Sequence, residues 1–81
     1  MNKTKIVISA TVEPVGGKFR PVIKASGRRI IHSLPDCRTE KIAFRRALNA
    51  AKNLADNLES NHFPVSRSFQ EAEEVLKEKI S

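Results

Sequence analysis

The sequence predicts an α+β domain: a three-stranded antiparallel β-meander with a long amphipathic helix packed on one face and a short C-terminal helix, in the order β-β-β-α-α. Three observations carry that expectation. Residues alternate with period two as far as Leu34, glycine-bearing breaks fall at Gly16-Gly17 and Ser26-Gly27, and a helical stripe of apolar residues follows Thr39. Eighty-one residues suit one domain, 1–81, near the lower size at which an apolar core alone holds a fold.

The first strand reads from Thr4 to Glu13. Ile6, Ile8, Ala10 and Val12 share one face, and Lys5, Val7, Ser9, Thr11 and Glu13 the other. Gly16-Gly17 supplies a hairpin turn. The second strand, Lys18 to Ala25, sets Phe19, Pro21, Ile23 and Ala25 against Arg20, Val22 and Lys24. Pro21 has no N–H, so this strand has an unpaired position or lies at an edge. After Ser26-Gly27 the third strand reads from Arg29 to Leu34, with Ile30, His32 and Leu34 on one face and Arg29, Ile31 and Ser33 on the other. The meander thus spans 4–34.

The long helix, 39–59, rests on Phe44, Ala47, Leu48, Ala51, Leu54, Ala55 and Leu58 at i, i+3, i+4, i+7 spacing. Thr39 is its expected N-cap, with Asp36 as competitor. Ser60-Asn61-His62-Phe63-Pro64 breaks it. The C-terminal helix is placed at 68–80, because Ser68 followed by Glu71 fits a capping box and Phe69, Ala72, Leu76 and Ile80 form a stripe.

Charge narrows the function classes. The chain carries a net +6, and residues 1–38 alone hold eight basic groups against Glu13 and Asp36. Residues 39–60 are at +1 and residues 61–81 at −1. A basic face attracts polyanions, above all nucleic acid. If one sheet face packs on the helix, Lys5, Lys18, Arg20, Lys24 and Arg29 share the opposite face with Val7, Val22 and Ile31. Arginine and lysine on strands can enter a major groove. That face lacks aromatics for base stacking, which favours a duplex over a single strand. The plain alternative is that the C-terminal helix covers its three apolar residues.

The long helix adds a second patch. It places Lys41, Arg45 and Arg46 near its N-terminus and Asp56 and Glu59 near its C-terminus, against the preference of the macrodipole. Arg38, Lys41, Arg45, Asn49 and Lys52 fall on one side, so an anion could sit at the helix start. A simple solvated face explains the same pattern.

Residues 17–31, Gly-Lys-Phe-Arg-Pro-Val-Ile-Lys-Ala-Ser-Gly-Arg-Arg-Ile-Ile, with Thr39-Glu40 opening an Ala-rich helix, resemble the β-β-β-α DNA-binding domains of phage-type integrases. The resemblance implies a sheet that enters the major groove and implicates Arg20, Lys24, Arg28 and Arg29. It also implies a phage or mobile-element setting. Phe19 to Lys52, ending in Ala43-Phe44-Arg45-Arg46-Ala47-Leu48, is similar to the strand-and-last-helix half of a double-stranded-RNA-binding domain, which implies a phosphate contact at Lys41. Leu34-Pro35-Asp36-Cys37-Arg38-Thr39 before an Ala/Leu helix is similar to HicB-type antitoxins, which bind a protein toxin.

Catalytic and metal chemistry find little footing. His32 has core parity, His62 lies in a turn, and Cys37 has Arg38 beside it but no adjacent base. A lone cysteine excludes an internal disulfide, and the N-terminal apolar stretch meets Glu13 too soon for a secretory core. The expectation is a cytoplasmic binding module with no cofactor, no metal and no enzymatic activity. Its expected partner is duplex DNA or RNA, contacted through Lys5, Lys18, Arg20, Lys24, Arg28, Arg29, Arg38, Lys41 and Arg45. The alternatives are an acidic protein surface, as for an inhibitor or antitoxin-like factor, and a homodimer through the C-terminal helix.

Overall fold

The computed structural model describes residues 5–30 and 34–78. Its elements are β1 (Ile6–Val15), β2 (Lys18–Ala25), β3 (Arg28–Ile30), α1 (Glu40–Ser60), β4 (Val65–Ser68) and α2 (Gln70–Glu78). The strands form one mixed sheet in the order β3-β2-β1-β4. The fold is α+β, but the sheet has a fourth strand that the three-stranded meander did not include, and β4 runs parallel to β1.

Both hairpins close through two-residue turns with left-handed backbones: Gly16 and Gly17 at φ 54° and 81°, Ser26 and Gly27 at 52° and 83°. Positive φ at both central residues matches the type I′ turn, whose twist suits the flanking strands. The tight first turn lets pairing run on to Val15↔Lys18, two residues past the expected end of the strand. Pro14 does not stop it. Alternation from the turn puts Pro14 in a non-hydrogen-bonded pair with Phe19, and β4 reaches only Ile6 to Ser9 on the other side.

Pro21 obeys the same rule. It pairs with Val12 at a position whose donor would point away from β1. On that outer side β2 is joined by Cys37 at Phe19, through reciprocal backbone bonds of 2.8 and 2.7 Å, and by β3 from Ile23 onward. Pro21 falls in the gap between the two, so its missing donor costs no ladder bond. The expected third strand to Leu34 is seen only as Arg28–Ile30; Leu34 lies outside any strand, and Ile31, His32 and Ser33 lie outside the described residues.

Thr39 caps α1 as expected, its Oγ1 accepting from the Ile42 N–H at 3.2 Å. The helix buries Ala43, Phe44, Ala47, Leu48, Ala51 and Ala55. Alanine at every fourth position from 43 to 55 keeps that stripe thin, so the backbone can lie close to the sheet. Ile8, Ala10 and Ile23 meet it from the strands.

The helix ends in a Schellman motif: His62 N–H donates to the Glu59 carbonyl at 3.0 Å and Phe63 N–H to that of Leu58 at 3.0 Å. Pro64 then delivers the chain to β4, its carbonyl accepting from Ile6 N–H at 2.9 Å. The capping box at Ser68 is overturned by this strand. Ser68 closes β4 opposite Ser9, and α2 starts at Gln70, with the Phe69 carbonyl accepting from Glu73 N–H. Phe69 and Ala72 are buried in the core, and Val75 and Leu76 pack partly against it, so this part of the stripe faces α1 and β1. Ile80 lies outside the described residues.

Candidate nucleic-acid interface

Strand parity divides the sheet cleanly. Ile8, Ala10 and Ile23 point into the helix layer, and α1 and α2 both pack on that side. The opposite face therefore carries no helix among the described residues, which removes the C-terminal helix as a cover for it. On this open face β2 presents Lys18, Arg20, Val22 and Lys24, β3 presents Arg29, and β1 presents Val7, Ser9, Thr11 and Glu13.

Register sets the neighbours. Lys24 stands directly opposite Arg29 on β3 and Ser9 on β1, so two like charges adjoin across strands. Such a pair opposes folding modestly. Arg29 ion-pairs with Glu13, two strands away on β1, so its side chain crosses β2 at the level of Val22. Val22 is only 4% exposed although it faces outward, whereas Val7 is 40% exposed. Arg20 ion-pairs with Asp36, its Nε donating to Oδ1 at 3.1 Å. Lys18 and Lys24 make no ion pair among the described residues. At the edge of this face Arg20, Pro21, Val22, Arg29, Ile30, Leu34 and Asp36 line a cleft of about 430 Å³.

The other expected contacts are dispersed. Arg28 follows Ala25 in register and so has the parity of the helix side, at the sheet edge. Lys5 precedes β1 and shares a shallow cleft with Glu59, His62 and Phe63 at the β4 end. Arg38 lies in the bend before α1, and Lys41 and Arg45 are on α1 itself, across the sheet from the open face. Of the nine residues, Lys18, Arg20, Lys24 and Arg29 come together on the open face, Arg38 follows the Cys37 bridge to Phe19 and so adjoins Lys18 in register, and Lys5, Arg28, Lys41 and Arg45 do not join them.

The reversed charges of α1 have a local cause. Arg67 on β4 donates to Asp56 and Glu59, each at 2.6 Å, which offsets the two carboxylates at the negative end of the helix. At the other end Thr39 and the first-turn Glu40 already serve the helix start. The helix-start patch thus needs no bound anion to explain it.

Period two already sets Glu13 on the face of Lys5 and Val7, and the two-residue loop at Gly16-Gly17 places it opposite Arg20. Nothing local announces Asp36, which the Cys37 bridge brings beside β2. Cys37 is 5% exposed and belongs to the interior, while His62 sits exposed one residue past the Asn61 C-cap of α1. Among the described residues no group of three or more His, Cys, Asp or Glu is placed to hold a metal, and no helix is long and apolar enough to cross a membrane.

No protein-family model matches this chain, and neither a curated protein nor a solved structure shows significant similarity to it.

Proposed function

We propose that this protein binds duplex DNA through the open face of its sheet. The observation that supports this reading is the concentration of Lys18, Arg20, Lys24 and Arg29 on two neighbouring strands of a face that carries no helix among the described residues. Four basic groups there meet two acids among the described residues, Glu13 paired with Arg29 and Asp36 with Arg20, so the charges of Lys18 and Lys24 are left over. Strands fit the wide major groove of B-form DNA, whereas the A-form groove of duplex RNA is too narrow for side chains to read. Lys18 and Lys24, with no ion pair among the described residues, suit phosphates. A cytoplasmic setting, on a phage or other mobile element, belongs to the same proposal.

A mobility-shift titration with random-sequence duplex DNA tests it. Binding should weaken steeply as salt rises. Lys18→Ala and Lys24→Ala should each lower the salt slope by about one, as expected for one lost phosphate contact. Lys77→Ala, on α2, should leave the slope unchanged. Absence of binding at ~50 mM salt and micromolar protein overturns the proposal, because non-specific affinities ordinarily fall within that range.

A further inference from the structure

We propose that Arg20 is the base-reading residue of this face and that Asp36 is its positioning residue, an inference that rests on the DNA-binding reading above. The argument is geometric. A guanidinium presents two edges for paired hydrogen bonds, one that includes Nε and one made by the two terminal nitrogens. In Arg20 it is Nε that donates to Asp36 Oδ1, at 3.1 Å. Neither terminal nitrogen of Arg20 is hydrogen-bonded among the described residues, and the side chain is 47% exposed. The end of the group that can engage guanine O6 and N7 together is therefore free, while its plane is held from the side.

Arg29 differs in this respect. Its ion pair with Glu13 is made at a terminal nitrogen, Nη2, so the bidentate end is already engaged. Lys18 and Lys24 are point charges without a fixed plane, suited to phosphate and poor at discriminating bases. Asp36 is itself anchored by its neighbour. Cys37 is bound to Phe19 through two backbone hydrogen bonds, one residue before Arg20 on β2. The carboxylate and the arginine thus stand on two backbone segments locked to each other. The cleft beside them, with Pro21, Val22, Ile30 and Leu34 among its lining residues, leaves space next to the guanidinium instead of packed protein.

The test separates specificity from affinity. Wild-type protein is used to select preferred sites from a random duplex library, and dissociation constants are then measured for a selected site and a scrambled one. A guanine should be enriched at one position. Arg20→Lys and Asp36→Asn should each reduce the selected-to-scrambled ratio by roughly 5- to 100-fold, the worth of one bidentate base contact. Affinity for scrambled DNA should fall much less than affinity for the selected site in Arg20→Lys, which keeps the charge, and should not weaken in Asp36→Asn, which removes a negative charge. If Asp36→Asn tightens both sites equally, Asp36 acts only as a surface charge and the inference is overturned. Salt-dependent binding without any preferred sequence overturns it too, but leaves the DNA-binding reading intact. Failure of the wild type to bind any duplex overturns both.

Discussion

Arg67 Nη2 donates to Asp56 Oδ1 at 2.6 Å and to Glu59 Oε1 at the same distance, tying the edge strand β4 to the last two turns of α1. The hydrogen bonds it donates to Asp56 and Glu59 hold the guanidinium pKa above its ordinary value. A base whose folded-state pKa is raised contributes its stability while protonated, so this tie persists throughout the ordinary pH range. Arg67→Ala should lower the thermal midpoint, more at low salt than at 0.5 M, because these exposed pairs are screened. Native-state hydrogen exchange should show β4 amides losing protection before those of β1 and β2.

The α1 cap is a second separable contribution. Thr39→Ala removes the acceptor for Ile42 N–H and should destabilise the fold by about 1 kcal/mol in urea unfolding. Thr39→Ser and Thr39→Asp keep an acceptor and should stay close to wild type.

Ile8 and Ile23 are the largest side chains shielded completely from solvent, and they meet the alanine stripe of α1. Ile23→Ala should cost about 2–5 kcal/mol. Loss on that scale is a large fraction of the ~5–15 kcal/mol available to a typical domain, so broad or absent thermal transitions are the expected readout. Ile8→Val should cost only ~0.5–1.5 kcal/mol and retain a cooperative transition.

His62 occupies the C′ position of the Schellman motif with φ 67°, a left-handed conformation that a side chain disfavours. Glycine there relieves the steric cost but adds freedom to the unfolded chain. The balance should leave His62→Gly more stable by about 0.5 kcal/mol, which corresponds to a rise of ~2–4 °C in Tm. The same variant should leave DNA affinity unchanged, since His62 lies in the α1–β4 turn beside Glu59, Phe63 and Pro64, outside the face of Lys18, Arg20, Lys24 and Arg29.

The residues that cooperate over short separations were legible in the sequence alone. Alternation placed Ile8, Ala10 and Ile23 inward and Arg20, Lys24 and Arg29 outward. The two-glycine break set the first hairpin, and the apolar spacing with Thr39 defined α1. Each of these follows from period two or period 3.6 within a dozen residues, where sequence neighbours are also spatial neighbours. Tertiary structure alone decided the rest. Val65 to Ser68 is short and mostly polar, so only pairing with β1 and the reach of Arg67 to α1 make it a strand. Asp36, legible as a possible helix cap, became the partner of Arg20 because the Cys37 bridge carries it to the sheet. Charge is a property of composition, but its arrangement into one face depends on which distant segments touch, and no local period encodes that.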